Sequence, residues 1–228
     1  MSHNRYAIYY APEPGPLADF GAAWLGWDLA RGCEVPHPDV AQLPEAVEGL
    51  TRRPRKYGFH GTVKPPFRLA AGQTRAGLER TAKALCADRS PVPLDGLKVA
   101  RLGRFVALLP ETTNAALSDL ASGVVAGLDS FRAPSSEDEL ARRRAARLTP
   151  RQEEMLRTWG YAHVMQDFRF HITLSGPLKQ AQADAVVTAL TPTLAPLAER
   201  LVIRDLCLVG ERPDGRFETL KRLPLGQA

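Results

Sequence analysis

A ten-residue segment that occurs twice is the feature that most limits how this chain can fold. Residues 59–68 read FHGTVKPPFR and residues 170–179 read FHITLSGPLK, and the two align without a gap. Phe, His, Thr and one Pro are identical in the two copies, and three further positions are chemically similar. Each copy precedes a pattern typical of a helix and then of a strand hairpin. Two related structural units are therefore predicted.

Alternation within each copy predicts which side chains lie together. In a strand, residues i and i+2 point to the same face. His60 therefore shares a face with Thr62, and His171 shares a face with Thr173. If the two units pack about an approximate two-fold axis, the two His/Thr pairs face each other across a groove.

The hydrophobic pattern predicts an α+β chain. Strands are predicted near 5–11, 57–63, 167–174, 201–209 and 216–222, with a hairpin at 97–109 that turns at Gly103. Helices are predicted near 17–29, 74–87, 112–128, 180–190 and 193–200. Residues 32–50 are predicted to be an irregular connection, Pro65 and Pro66 to end a strand, and residues 213–215 to form a turn.

The predicted organisation is a single bilobal domain over residues 1–228, with antiparallel sheets around a central groove and pseudo-two-fold symmetry. The first lobe covers about 12–110 and the second about 111–228. A charged insertion at about 130–160 is predicted to hold two helices, divided at Thr149 and Pro150. The strand at 5–11 can pair with either lobe.

Composition is that of an ordinary globular protein. Hydrophobic residues make up 44% and charged residues 24%, which argues against a disordered chain. No segment approaches the roughly 20 apolar residues that cross a bilayer, and the N-terminus lacks the features of a signal peptide. We therefore expect a cytoplasmic protein without a membrane partner. Cys33, Cys86 and Cys207 are too scattered for a disulfide framework or a CxxC zinc site.

Two basic clusters contribute to the net charge of +5. The first, within residues 52–56, directly precedes the first copy of the repeat, and we interpret it as favouring an anionic partner such as a phosphate. The second, within residues 142–147, follows three acidic residues. That order suits a helix with acids at its start and bases near its end, so this cluster is interpreted as a surface.

The repeated His/Thr pair suits phosphodiester chemistry. Hydrolysis needs a base that takes a proton from water and an acid that gives one to the departing oxygen. Two imidazoles, one neutral and one protonated, can do both near pH 7. Threonine hydroxyls can donate hydrogen bonds to the non-bridging phosphate oxygens. His60 and His171 are therefore the predicted catalytic residues, with Thr62 and Thr173 binding phosphate. The alternative for a lone His-x-Thr, a structural hydrogen bond, is disfavoured by the duplication.

Two His-x-Thr motifs, each on a strand of one of two similar lobes, resemble the 2H phosphoesterase superfamily. Within it, residues 55–67 (RKYGFHGTVKPPF) and 168–176 (FRFHITLSG) resemble a bacterial branch associated with phosphonate-utilisation operons. The resemblance implies the two-lobed fold, catalysis by His60 and His171, and phosphate binding by Thr62 and Thr173. It also implies no metal and no organic cofactor. The implied substrate is a small cyclic phosphate, such as a ribose cyclic phosphate formed during phosphonate breakdown.

Four further residues are candidates for substrate binding. Lys64 and Ser175 lie two positions beyond the threonines, so alternation places them on the groove face; solvation or local capping is an equal alternative. Tyr57 can stack on a sugar or base, or be part of the core. Arg169 alternates onto the face of His171 and can bind phosphate.

Other readings stay open. A metal site that uses His163 with the two motif histidines lacks a recognised ligand motif and is disfavoured. A catalytically inactive RNA-binding module is opposed by the presence of both His/Thr pairs and by the lack of an RNP-type aromatic motif. An RNA or nucleotide 2′,3′-cyclic phosphodiesterase keeps the chemistry but changes the substrate. The insertions at 32–50 and 130–160 favour a small phosphorylated substrate over RNA.

Overall fold

The computed structural model describes residues 3–145 and 147–226. The strands are β1 (Tyr6–Tyr10), β2 (Trp27–Asp28), β3 (Cys33–Glu34), β4 (Gly61–Phe67), β5 (Val92–Leu94), β6 (Leu97–Leu102), β7 (Phe105–Pro110), β8 (Ile172–Thr173), β9 (Leu201–Ile203), β10 (Asp205–Glu211) and β11 (Phe217–Pro224). The α-helices are α1 (Pro16–Leu25), α2 (Val47–Thr51), α3 (Arg75–Ala87), α4 (Ala115–Gly127), α5 (Glu137–Arg144), α6 (Pro150–Trp159) and α7 (Gln180–Leu197). Short 3-10 helices cover Arg55–Tyr57, Asp129–Phe131 and Met165–Asp167.

A seven-stranded antiparallel sheet forms the centre of the fold. Its strand order is β11-β10-β1-β4-β8-β7-β6. β4 carries the first copy of the repeat and β8 carries the second, so the two copies lie side by side in the middle of the sheet. The predicted α+β class and antiparallel architecture are confirmed.

The two halves of the sequence are interleaved in this sheet. The hairpin β6–β7 follows the first copy of the repeat but pairs with β8. The hairpin β10–β11 follows the second copy and pairs with β1, which in turn pairs with β4. Residues 12–110 and 111–228 therefore do not correspond to separate halves of the sheet, because each sequence half supplies strands to both sides of the centre.

Three helices, α3, α4 and α7, pack against the strands and enclose the main core. In α3 the buried residues are Leu78, Ala82 and Cys86, spaced four apart as expected for one helical stripe. Thr74 begins this helix, since its hydroxyl accepts a hydrogen bond from the backbone N–H of Gly77. Burial of a leucine of this kind is worth about 1.5–3 kcal/mol. The side of the sheet that these helices cover is called the helix face below.

Helix α7 is continuous where the sequence predicted two helices. The prediction placed a break near 190–193, but Pro192 and Pro196 lie inside one helix. Its buried residues Val186, Leu190 and Leu194 form a stripe at intervals of four that continues past Pro192. Packing of this stripe in the core compensates for the hydrogen bond that an interior proline removes.

The strands of the repeat begin and end differently from the prediction. The segment predicted as a strand at 57–63 starts as a 3-10 helix, and β4 begins at Gly61. Pro65 and Pro66 lie within β4 and do not end it. They are tolerated because the β8 pairing of β4 is confined to Gly61, so no partner on that side needs their missing N–H groups. The strand predicted at 167–174 is reduced to Ile172 and Thr173.

A β-bulge follows the threonine of the first copy. Tyr9 lies opposite Thr62, whereas the preceding residue Ile8 lies opposite Lys64, so Val63 is an extra residue in β4. A bulge interrupts the alternation of side chains. Lys64 therefore points to the helix face, with Ile8, and the prediction that it shares the face of Thr62 is wrong.

The second copy has the same irregularity. The backbone N–H groups of Leu174 and Ser175 both donate to the carbonyl oxygen of Val106, at 2.9 and 3.2 Å. Two residues thus oppose one, as in a bulge. The Ser175 hydroxyl accepts from the N–H of Val106 at 2.9 Å and donates to the carbonyl of Gly176 at 2.9 Å. Its hydrogen-bonding groups are occupied by the backbone, contrary to the prediction that they face a substrate.

Lys64 is a buried cation, with 2% of its surface exposed. Its ammonium donates to the carbonyl oxygen of Val125 at 2.9 Å and lies 3.6 Å from Oδ1 of Asp129. Val125 is in the last turn of α4, where the helix dipole favours a positive charge. Burial lowers the pKa of Lys64 to about 8, and the nearby carboxylate of Asp129 partly opposes this shift.

The charged insertion holds two helices, as predicted, and packs through specific side chains. Arg68 makes a bidentate contact with Glu139 at 2.9 Å, which joins the end of β4 to α5. Thr149 caps α6, and Pro150 occupies its first position. Within the second basic cluster Arg142 and Arg144 are exposed, as predicted, but Arg143 is half-buried and donates to the carbonyl of Gly160.

None of the helices in residues 3–145 and 147–226 is both long and apolar enough to span a bilayer. The three cysteines are unpaired thiols, and Cys86 and Cys207 are buried.

The buried lysine predicts how stability depends on pH. The folded pKa of Lys64 is about 8, against about 10.4 for an unfolded lysine. Between these values the unfolded chain binds more protons, so the contribution of Lys64 to folding stability should rise with pH. We expect the stability of the wild type relative to Lys64→Met to increase by up to about 3 kcal/mol between pH 7.5 and 10.5.

Urea unfolding of both proteins across this pH range measures the difference between their free energies of unfolding. The contributions of all other titrating groups cancel in this difference, because the two proteins share them. Lys98→Met, at an exposed position of β6, is the matched control and should show no such slope. If the stability difference between wild type and Lys64→Met stays constant with pH, the buried state of Lys64 is contradicted.

Candidate active site

The two copies of the repeat meet through a direct pairing of β4 with β8. Gly61 lies opposite Ile172 in antiparallel register. Continued by one residue in each direction, this register sets each histidine opposite the threonine of the other copy: His60 opposite Thr173, and His171 opposite Thr62. Residues opposite one another project to the same face. All four side chains thus belong to one side of the sheet, which is called the His/Thr face.

This register also limits the separation of the two imidazoles. His60 and His171 are diagonal neighbours on adjacent strands. Diagonal neighbours are typically about 7–8 Å apart at the backbone and somewhat less at Cβ, which is within reach of ring side chains. In agreement with this proximity, His171 contributes to lowering the pKa of His60.

Backbone carbonyls hold both histidines in the same way. Nδ1 of His60 lies 2.8 Å from the carbonyl oxygen of Gly58, and Nδ1 of His171 lies 2.7 Å from that of Arg169. A carbonyl oxygen can only accept, so Nδ1 must carry the proton in each ring. In the neutral state Nε2 is then the unprotonated nitrogen, and at His60 it accepts from the Thr62 hydroxyl at 3.0 Å.

Aromatic rings fix the orientation of both imidazoles. Tyr9 lies opposite Thr62 in β1, and its ring stacks on His60 with centroids 3.7 Å apart and an angle of 23°. The ring of Phe105 lies 5.7 Å from that of His171 at 51°. Tyr9 is buried, so its ring excludes water from one side of His60.

Glycine at position 61 allows the two copies to approach. A Cβ at Gly61 would lie 2.5 Å from the ring of Phe170, which is closer than real Cβ contacts. Phe170 precedes His171 and packs in the main core. Gly58, whose carbonyl holds His60, has φ of 72°, a conformation that favours glycine.

Burial disfavours the charged form of both imidazoles. It lowers the pKa of His60 to about 4, with a smaller opposing effect from the hydrogen bond to Gly58 and a further lowering by His171. Burial likewise lowers the pKa of His171, while the hydrogen bond to Arg169 opposes the shift and His163 adds to it. Both rings are therefore mainly neutral in the unliganded protein at pH 7.

A cavity of about 220 Å³ opens at this face. Of the four motif side chains, His60 and Thr173 line this cavity, one from each copy of the repeat, whereas His171 and Thr62 are not among its lining residues. Most of its remaining wall is aromatic ring, proline and glycine. The lining residues, called the site cavity below, are Arg53, Pro54, Tyr57, Gly58, His60, Phe105, Thr173, Ser175, Gly176 and Pro177.

The other four predicted binding residues lie in different surroundings. Tyr57 lines the site cavity, with its ring 6.3 Å from that of His60. Arg169 is exposed; its backbone carbonyl, rather than its guanidinium, contacts His171. Lys64 is on the helix face, and Ser175 lines the cavity with its hydroxyl bonded to the backbone.

His163 lies outside this arrangement. It is exposed, and its ring is 5.9 Å from that of Tyr161. Over residues 3–145 and 147–226 there is no group of three or more His, Cys, Asp or Glu side chains that could hold a metal ion.

Sequence reasoning missed several residues of the site. Tyr9 and Phe105 contact the histidines but lie outside the repeat, on β1 and β7. Alternation of Ala7, Tyr9 and Ala11 marks one face of β1, but it does not reveal which strand lies beside it. Only the register between strands assigns Tyr9 to His60.

Comparison with known proteins identifies the family. Residues 62–218 match the family described as protein of unknown function (DUF1045). The chain belongs to this family. The DUF1045 match includes Thr62, His171 and Thr173 and begins two residues after His60.

A curated relative is longer than this chain. The chain is 38% identical over 189 residues to a protein named ribose 1,5-bisphosphate phosphokinase PhnN from Janthinobacterium sp. (strain Marseille). The match covers 82% of this chain and 42% of that protein. The chain thus corresponds to about two fifths of the relative's length.

Two solved structures are similar over their whole length. One, described as a phosphoesterase, is 16% identical with a TM-score of 0.46, covering 99% of this chain and 100% of that one. The other, LigT of E. coli complexed with 3'-AMP, is 15% identical with a TM-score of 0.46 over the same shares.

The stacking of Tyr9 on His60 predicts a change in titration. Replacement of the ring by a smaller side chain should admit water to the imidazole and raise the pKa of His60 from about 4 towards its ordinary value near 6.5. NMR titration of the histidine ring protons measures this in Tyr9→Leu. Tyr9→Phe keeps the stacked ring and is the control. The same titration midpoint in wild type and Tyr9→Leu would show that Tyr9 does not shield His60.

Proposed function

We propose that this protein is a phosphoesterase that hydrolyses a small cyclic phosphodiester, with His60 and His171 as paired acid and base. The observation that carries the proposal is the matched geometry of the two rings. Both lie on one face of adjacent strands, and both have Nδ1 held by the carbonyl two residues earlier. Nε2 is therefore the unprotonated nitrogen of each neutral ring, and at His60 it becomes available to a substrate when the Thr62 hydroxyl turns away; two-sided proton transfer needs one such nitrogen on each ring.

The chemistry follows from this arrangement. One imidazole accepts a proton from water at its neutral Nε2, and the oxygen of that water forms a bond to phosphorus. The bond from phosphorus to one ring oxygen breaks, and the other imidazole, protonated at Nε2, gives its proton to that oxygen. The product is a phosphomonoester with a new hydroxyl group. The Thr173 hydroxyl donates to one non-bridging oxygen, where negative charge accumulates. The Thr62 hydroxyl, which donates to Nε2 of His60 in the unliganded protein, turns to another non-bridging oxygen when substrate binds.

The site cavity supports a small substrate. Its volume of about 220 Å³ lies below the roughly 300–1,000 Å³ typical of pockets for drug-sized ligands. Its wall of Tyr57, Phe105 and prolines suits a compact sugar skeleton more than a long charged polymer. These features favour a cyclic phosphate of a small sugar over cyclic-phosphate-terminated RNA.

The relative's name supports ribose as that sugar. The name gives a ribose bisphosphate as the relative's substrate. The region similar to this chain makes up about two fifths of that protein's length. The 228 residues of this chain contain no Gly-x-x-x-x-Gly-Lys-Ser/Thr phosphate loop, so we do not propose kinase activity for it. We therefore propose a ribose cyclic phosphate, formed during phosphonate breakdown, as the substrate.

Loss of either imidazole tests the catalytic roles. His60→Ala and His171→Ala should each lower kcat for a ribose cyclic phosphate by about 10²–10⁴-fold, because each removes one proton-transfer step. Activity is measured by release of the phosphomonoester, with EDTA present in a parallel assay that should leave it unchanged. His163→Ala, at the exposed histidine, is the control and should keep wild-type activity. Full activity in either catalytic variant would refute the mechanism, and a preference for long RNA would refute the substrate.

The lowered pKa values predict an acidic optimum. Catalysis needs one protonated and one neutral imidazole, and in the free protein the pKa of His60 is about 4 while that of His171 is also lowered. Whichever ring is the base, kcat/KM should peak below about pH 6.5 and fall at higher pH as the second proton is lost.

The dependence of kcat on pH should lie further to the alkaline side, because a bound phosphate anion stabilises the imidazolium. Steady-state rates between pH 4 and 9 measure both profiles. A kcat/KM that keeps rising above pH 7.5 would contradict these titrations.

A further inference from the structure

The basic cluster before the first copy of the repeat divides into residues with different surroundings. Arg52, Arg53 and Lys56 are exposed, whereas Arg55 is partly buried. Lys56 lies over the ring of Tyr57, with Nζ 4.8 Å from its centroid. Of the cluster's four basic side chains, Arg53 lines the site cavity.

Arg55 makes the segment rigid. Its guanidinium donates to the carbonyls of Leu25 and Glu48 at 3.0 Å and to the hydroxyl of Thr51 at 3.0 Å. These contacts tie the 3-10 helix at Arg55–Tyr57 to α1 and α2. The basic cluster thus contains one structural arginine, which fixes the backbone that carries Arg53.

Arg53 is held beside the end of the second copy of the repeat. The backbone N–H of Gly176 donates to the carbonyl of Leu50 at 2.7 Å, which joins α2 to the residues that follow Thr173. A Cβ at Gly176 would lie 3.8 Å from Cβ of Arg53 and 3.9 Å from its Cδ. The stem of Arg53 therefore passes over Gly176, at the wall of the cavity that also contains Thr173.

The charge of Arg53 is not neutralised by a neighbouring side chain. Other arginines of the fold form close ion pairs, such as Arg5 with Glu211 and Arg222 with Asp205. In the part of the chain that the structure describes, Arg53 has no carboxylate within ion-pair distance, and no carboxylate lines the site cavity. With His60 mainly neutral, Arg53 is the formal positive charge of the cavity.

We infer that Arg53 binds a second anionic group of the substrate, in addition to the phosphorus centre at His60 and Thr173. Apart from His60 and Arg53, the cavity is lined by Pro54, Tyr57 and other uncharged residues. A substrate that fits carries two anionic groups joined by a short uncharged skeleton. A planar guanidinium pairs with a phosphate through two parallel hydrogen bonds. The ligand is thus a cyclic sugar phosphodiester that also carries a phosphomonoester.

This inference rests on the proposed function and deepens it. The name of the relative, ribose 1,5-bisphosphate phosphokinase, concerns a ribose with phosphate on two positions. A phosphomonoester on the primary hydroxyl of ribose lies several bonds from a cyclic phosphate on the ring, so the two groups can occupy separate parts of one cavity.

The test compares two probes in matched variants. The probes are ribose cyclic phosphates, in the 1,2- and 2,3-cyclic forms, with and without a phosphomonoester on the primary hydroxyl. The wild type should prefer the doubly phosphorylated probe in kcat/KM by about tenfold, the effect of one charge-assisted contact at an exposed site. Arg53→Gln should remove this preference, and Arg53→Lys should keep part of it.

Arg52→Gln is the control, since Arg52 is an exposed neighbour outside the cavity lining, and it should keep the wild-type preference. The preference should also weaken between 50 mM and 500 mM salt in the wild type, because an exposed ion pair is screened.

The outcomes separate this inference from the proposed function. Hydrolysis of both probes, with the same ratio of kcat/KM in wild type and Arg53→Gln, overturns the inference alone. Failure of the wild type to hydrolyse any of the probes overturns the proposed function together with it.

Discussion

The pairing of β4 with β8 at Gly61 and Ile172 joins the two copies of the repeat at the centre of the sheet. It places the two copies of the repeat side by side, and its register brings both His/Thr pairs to one face. The contact requires glycine on one strand because the ring of Phe170 occupies the space that a Cβ at position 61 would need. The pairing of the two copies and the packing of Phe170 in the core therefore both depend on the absence of a side chain at position 61.

The two faces of the central sheet provide different environments. On the helix face, apolar side chains and the buried ammonium of Lys64 pack against α4 and its neighbours. On the His/Thr face, Tyr9 supports His60, and the site cavity stays open beside it. A bulge after Thr62 makes this separation possible, because it turns Lys64 away from the threonine that alternation would have placed beside it.

Burial and hydrogen bonding act in opposite directions on the histidines. The carbonyls of Gly58 and Arg169 determine which nitrogen carries the proton, and they favour the protonated ring. Loss of solvent has the larger effect and keeps both rings mainly neutral in the unliganded protein. In the proposed mechanism, a phosphate between the rings would supply the negative charge that the cavity wall lacks and would so couple substrate binding to protonation.

Local signals predicted much of the fold. The helix predicted near 74–87 and the boundary predicted at Thr149 and Pro150 agree with the structure, because helix starts depend on residues close in sequence. Predictions failed where distant contacts override a local rule. Pro192 remains inside α7 because the helix packs a continuous apolar stripe in the core, and Pro65 remains inside β4 because β8 does not extend beside it.

The repeat alone shows that His60 and His171 occupy matching positions, and alternation relates each of them to its own threonine. Which other side chains lie beside the two histidines is visible only in the folded chain. Tyr9, Phe105 and Arg53 come from separate segments. Their roles depend on the register and packing between elements far apart in sequence, and a periodicity within one strand carries no information about its neighbour.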